Sequence, residues 1–166
     1  MKKLNNVIKV ITVTIIIVVS LQFDTQAQSN WEAGIRFGND FAIDATIPLS
    51  ARPRLHAAAY FGDVFGTQYG SNFGLAAYFD WMFSLEDGPT GLKFYPGVGP
   101  EIFFGDNFNF GVAGDFGVEY SFDFPLTIGL DWRPGVIFTN DVGFHSGNWG
   151  LVARFRFGEG VRFRAE

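Results

Sequence analysis

Twelve ionisable side chains dominate the chemistry open to this sequence: Glu32, Arg36, Asp44, Asp80, Lys93, Glu101, Asp115, Glu119, Asp131, Arg133, Arg154 and Arg156. Seven are acids and five are bases, so brought together they can neutralise much of each other's charge. Arginine suits that role because its planar guanidinium can hold a carboxylate through two parallel hydrogen bonds. In an enclosed space such a set forms a partly hydrated polar plug.

A reaction centre is harder to assemble. The two histidines are His56 and His145. His56 falls near the start of a strand, close to one rim, and reads as a packed or rim histidine. His145 follows Asp141 and precedes Ser146, and serine, histidine and aspartate are the parts of an acyl-transfer site. An adjacent serine does not readily set its Oγ against the neighbouring ring, so the set needs a serine from elsewhere, such as Ser71. Loop polarity is the simpler account, and no catalytic residues are assigned.

Nor does the spacing offer a cofactor or metal motif. Asp40, Asp63, Asp87, Asp106 and Asp141 lie in separate turns, without the regular spacing of a calcium loop. Gly97-Val98-Gly99 precedes no helix and so is no nucleotide fingerprint. The chain has no cysteine, which removes thiolate chemistry and disulfides.

The elements that must position these charges follow from hydrophobic periodicity. After residue 30 apolar residues recur every second position, the strand period rather than the helical 3.6. Eight segments alternate: Trp31 to Gly38, Phe41 to Leu49, Leu55 to Phe61, Phe73 to Phe83, Leu92 to Phe104, Phe108 to Phe122, Leu126 to Phe138 and Trp149 to Phe157. Turn-forming residues separate them at 39–40, 50–54, 63–71, 86–89, 105–107, 123–125 and 140–147. Short connections predict a sequential antiparallel meander.

The faces of these strands differ in kind. Phe108, Phe110, Val112, Phe116, Val118, Tyr120 and Phe122 alternate with Asn109, Gly111, Ala113, Asp115, Gly117, Glu119 and Ser121. Trp149, Leu151, Ala153, Phe155 and Phe157 oppose Gly150, Val152, Arg154, Arg156 and Gly158 in the same way. All twelve charges fall on the second kind of face. A soluble sandwich would also alternate, but a solvated face has no need of so much glycine. An eight-stranded barrel does, because its interior is only wide enough to be filled with side chains. The fold expected is therefore all-β, an eight-stranded antiparallel up-and-down transmembrane β-barrel with short turns. Its greasy wall would contact outer-membrane lipid, and Trp31, Trp81, Tyr120, Phe122, Trp132 and Trp149 are candidates for interfacial girdles. Pro96, Pro100 and Pro134 fall inside strands and predict bulges or strand ends, with the cost confined to the rim.

Residues 1–27 read as a secretory signal peptide: Lys2, Lys3 and Lys9, an apolar run from Val10 to Leu21, and Thr25-Gln26-Ala27 at the cleavage site. Twelve apolar-run residues are short of the roughly 20 that span a bilayer as a helix. The barrel domain would then occupy 28–157 and a C-terminal tail 158–166. Removal of the leader leaves nine basic and sixteen acidic residues, a net charge of −7, which is unsuited to nucleic acid. A periplasmic start and an even strand number would return the C-terminus to the periplasm. The turns at 39–40, 62–71, 105–107 and 140–148 would face outward.

The runs Gly111-Val112-Ala113-Gly114-Asp115-Phe116-Gly117-Val118-Glu119-Tyr120-Ser121-Phe122 and Pro125-Leu126-Thr127-Ile128-Gly129-Leu130-Asp131-Trp132-Arg133-Pro134 resemble the small eight-stranded outer-membrane β-barrel proteins of Bacteroidetes. The likeness is strongest over 92–157. The run Asn148 to Phe157 is similar to the final-strand signal read by the barrel-assembly machinery. That signal usually ends the chain, whereas here nine residues follow, so either a tail is tolerated or the strand runs on through Val161 and Phe163. The resemblance implies export, assisted insertion and an outer-membrane location rather than a reaction. The reading is a non-enzymatic envelope barrel with no cofactor. The alternatives are a narrow channel for water or small solutes, and a lipid-modifying hydrolase or acyltransferase.

Overall fold

The computed structural model describes residues 31–61, 71–85, 88–105, 108–138, 142–146 and 148–158. The segment read as a signal peptide, the residues after Gly158, and Asp63, Asp87, Asp106 and Asp141 lie outside that set.

Among the described residues eleven strands form: β1 (Trp31–Gly38), β2 (Phe41–Pro48), β3 (Pro53–Phe61), β4 (Ser71–Trp81), β5 (Phe83–Ser84), β6 (Leu92–Gly105), β7 (Asn109–Ser121), β8 (Leu126–Trp132), β9 (Gly135–Phe138), β10 (Val142–His145) and β11 (Trp149–Phe157). They run in eight courses, because β4 continues into β5, β8 into β9, and β10 into β11. Every ladder is antiparallel, and sequence neighbours are spatial neighbours all the way round. The first and last courses close the wall through an eight-residue ladder from Trp31↔Phe157 to Gly38↔Gly150. The chain is a closed, eight-stranded, all-β barrel, as the alternation predicts.

Three boundaries depart from the sequence expectation by two residues or more, and one of them is Ser71, expected in a turn but paired with Gly105 at the start of β4. Residues 142–145, expected in a loop, pair with 135–138 as the hairpin of β9 and β10. Pro53 and Arg54, expected in a turn, open β3 and pair with Trp81 and Asp80. Proline is tolerated as a first strand residue because no earlier ladder bond needs its missing N–H.

The internal prolines behave in two ways. Pro134 ends β8 after Trp132, and β9 resumes at Gly135. Pro96 and Pro100 do not end β6, whose ladder with β7 is continuous from Leu92 to Phe103. The partners on the other side are interrupted instead. β4 pairs with β6 at Ala76↔Glu101 and again at Phe79↔Val98 and Asp80↔Gly97, and β5 takes over at Phe83↔Phe94 in the same register. Pro100 and Pro96 fall in the two gaps. The missing donors thus cost ladder contacts within the wall, not only at its rim as the sequence reading had it.

Alternation decides what each face meets. Ile35, Ile43, Leu75, Phe79, Val98, Phe116, Leu130, Leu151 and Phe155 face outward and are exposed. Inside, a small apolar cluster of Ala42, Ala58, Ala76, Ala113, Tyr60 and Tyr78 occupies the lumen beside the charged residues. Aromatic pairs gather toward the two rims, with Trp31 stacked on Phe157 at 4.2 Å and Trp132 on Trp149 at 5.4 Å.

Candidate functional site: the ion-paired interior

The lumen is where the ionisable groups meet. Glu32, Arg36, Asp44, Asp80, Glu101, Asp115, Glu119, Asp131, Arg133 and Arg154 are all buried there. Lys93 and Arg156 are half-buried and line a cavity of about 710 Å³ that opens on the rim carrying both barrel ends. Arg156 braces that rim by donating to the Phe122 and Phe124 carbonyls.

Four arginines tie distant courses together. Arg133 sits between β8 and β9, and reaches Asp115 at 3.2 Å, Asp44 at 3.0 Å and Asp131 at 2.8 Å, and donates to the Tyr60 hydroxyl at 2.8 Å. Arg154, on β11, binds Asp44 at 2.8 Å, Glu32 at 3.1 Å, and Glu119. Arg36 holds Asp131 at 2.8 Å, Asp40, and the Asn148 side chain at 2.8 Å. Arg54 spans from Asp80 at 2.9 Å to Glu119 at 2.8 Å and lies over the Tyr95 ring. Asp44 thus joins β2 to positions 89 and 110 residues away. The Asp44–Arg154 pair bridges over Gly34 of the intervening β1, while the Asp44–Arg133 and Arg54–Glu119 pairs join courses three apart, so the links brace strands that no ladder connects.

The glycines on this face make the network possible. A Cβ at Gly150 would lie 2.5 Å from the Arg36 guanidinium carbon, and one at Gly97 would fall on the Asp80 carboxylate. One at Gly117 would enter the Tyr95 ring. Their absence of side chain is the room in which the large polar groups pack.

His56 is the centre of the arrangement rather than a rim residue. It is fully enclosed, with Nε2 at 2.8 Å from both Asp44 oxygens and Nδ1 facing Asp80 at 3.0 Å and Asp115 at 2.7 Å. His145 lies on β10 and turns toward Glu101 on β6, at 3.5 Å. Its neighbour Ser146 is exposed and accepts, through its carbonyl, a hydrogen bond from the Trp132 indole at 2.6 Å. The described residues therefore bring His145 to a carboxylate, not to a serine. Asp141 lies outside the described residues.

Five interior residues escaped the sequence reading. Arg54 reads as a turn residue beside Pro53, yet its even spacing from His56 and Tyr60 is the signal that places all three on one face. Residue type does not mark Tyr60, Tyr78 and Tyr95 as interior, since tyrosine also suits a membrane-interface wall. Their parity with Ala58, Asp80 and Gly97 marks them as inward. Tyr60 and Tyr78 join hydroxyls at 2.8 Å, and Tyr78 continues to Glu101. Asp40 lies in the turn after β1, where Arg36 reaches it four residues on.

Fold and site together define a closed antiparallel eight-stranded barrel with an apolar exterior and an ion-paired polar lumen. No model of a known protein family, no curated protein and no solved structure matches the chain.

Proposed function

We propose that this protein is an integral outer-membrane barrel of the small Bacteroidetes-like type, exported by its leader and inserted by the barrel-assembly machinery. Its role is structural: a rigid, non-enzymatic element of the envelope, held in shape by its interior ion pairs. The observation that carries the reading is the distribution of burial, with large apolar side chains exposed on every long strand and, among the described residues, twelve acidic or arginine side chains enclosed. In water that arrangement is inside out. In hydrocarbon it is the one that avoids a cost of about 2–4 kcal/mol for each arginine or lysine at mid-wall. The aromatic pairs toward both rims suit the two membrane interfaces. Buried arginines across the lumen favour a plug over an open pore, since aqueous channels belong to much wider barrels.

Val98 isolates the question of solvent. It lies at the middle of β6 and is 58% exposed. Val98→Arg is expected to destabilise the barrel in lipid vesicles by about 2–4 kcal/mol, read from reversible denaturant unfolding. A change within ~0.5 kcal/mol would mark Val98 as a water-facing surface position and overturn the lipid assignment. The accompanying observation is cheap: the protein should sediment with outer membranes and migrate faster in gels before boiling than after. Recovery in the soluble fraction, with no heat-dependent shift, contradicts the proposal.

A further inference from the structure

We infer that His56, Asp80 and Asp115 form a binding site for one divalent first-row transition-metal ion inside the lumen. Each contributes one potential ligand atom, the three atoms lie within 4.8 Å of one another, and all three residues are buried. This inference rests on the interior geometry alone and is independent of what surrounds the wall.

The imidazole is oriented as a ligand would be. Both Asp44 oxygens stand 2.8 Å from Nε2, so a proton there donates to Asp44, and a metal ion that displaces the proton on Nδ1 meets that nitrogen's lone pair between Asp80 and Asp115. A carboxylate on the far nitrogen is the usual outer partner of a metal-bound histidine, because it fixes the tautomer and raises ligand basicity. Arg133 also approaches Nε2, at 3.1 Å, but it only donates, and its bond from the same Nη2 to Asp44 at 3.0 Å is compatible with this tautomer.

A proton on Nδ1 cannot serve the site as well. A single N–H aims at one acceptor, and Asp80 Oδ2 takes it at 3.0 Å. Asp115 Oδ2, buried at 2.7 Å from the same nitrogen, competes with Asp80 for that one proton. One cation can satisfy both carboxylates and the ring nitrogen, with the ligand atoms spreading by about half an ångström to accept bonds of ~2.0–2.2 Å.

Charge points the same way. Among the described residues eight buried carboxylates, Glu32, Asp40, Asp44, Asp80, Glu101, Asp115, Glu119 and Asp131, face four buried arginines and His56, so acids still outnumber bases when the ring is protonated. A surplus of enclosed negative charge favours capture of a cation. One imidazole and two carboxylates are donors for zinc, manganese, iron or cobalt, and lack the thiolate or thioether that copper(I) prefers. The rim cavity offers a route, since Arg54 lines it and touches Asp80 at 2.9 Å.

The test uses the full chain, folded in detergent after chelator treatment and titrated with Zn²⁺ or Co²⁺ alone. Expected are one saturable equivalent, a raised unfolding temperature with Zn²⁺, and Co²⁺ visible bands of the intense kind given by four or five ligands. Asp115→Asn should abolish these changes, Asp44→Asn should weaken affinity by about 10–100-fold, and His145→Ala should leave them intact. The inference is overturned by absence of saturable binding, by binding that survives Asp115→Asn, or by binding lost in His145→Ala. If Asp115→Asn fails to fold, the wild-type Co²⁺ spectrum decides: the weak bands of a six-coordinate aqueous-like ion would overturn the site.

Discussion

Arg133→Leu is expected to lower the stability of the folded barrel by about 3–5 kcal/mol, the usual penalty for removing one partner of a buried ion pair. The reason is what stays behind. Asp44, Asp115 and Asp131 lose a shared cation, and the Tyr60 hydroxyl loses a donor, all in a space that water cannot freely refill. Leucine keeps part of the aliphatic stem but not the guanidinium, so the loss combines stranded charge with the space that group filled. The measurement is a denaturant or thermal unfolding curve of the protein in detergent. Arg154→Leu should behave similarly, because it strands Asp44, Glu32 and Glu119. Since both arginines hold Asp44, the double variant should fall short of the sum of the two single losses. Unchanged unfolding in both single variants would mean that the ion pairs do not brace the wall.

Gly34→Val is expected to stop the barrel from closing. Gly34 pairs with Asp44 on one side and with Arg154 on the other, within the ladder that joins β1 to β11. Even a Cβ there would fall on the Ala153 carbonyl, which is backbone and has no rotamer by which to move aside. Overpacking a core with extra methyl groups typically costs about 1–3 kcal/mol. A clash with backbone should exceed that range, because relief requires the closing strands to separate. The expected readout is loss of the heat-dependent gel shift while much β-sheet signal persists in circular dichroism. Conserved mobility before boiling, equal to the parent, would show that this seam tolerates a side chain.

Much of the architecture follows from local sequence. Alternation along Phe108 to Phe122 dictates a strand whatever surrounds it, because side chains of an extended chain leave on opposite sides in turn. The same arithmetic placed Asp115, Glu119, Asp131 and Arg154 on one face, and short turns left the antiparallel meander as the simple path. Glycine on the polar face signalled a crowded interior. Strand ends were less legible. The turn chemistry of Pro53 concealed that β3 begins there, and the polar run at 140–147 concealed a hairpin whose register is set by pairing with β9.

The sequence by itself determined strand number, face polarity and the segregation of charge, since each depends only on neighbours one or two positions apart. Which carboxylate answers which arginine was settled only when the wall closed. Asp44 meets Arg133 and Arg154 across 89 and 110 residues, and His56 meets Asp80 and Asp115 from three different strands. Those distances depend on the curvature and register of all eight courses at once, a property that no single stretch of chain contains.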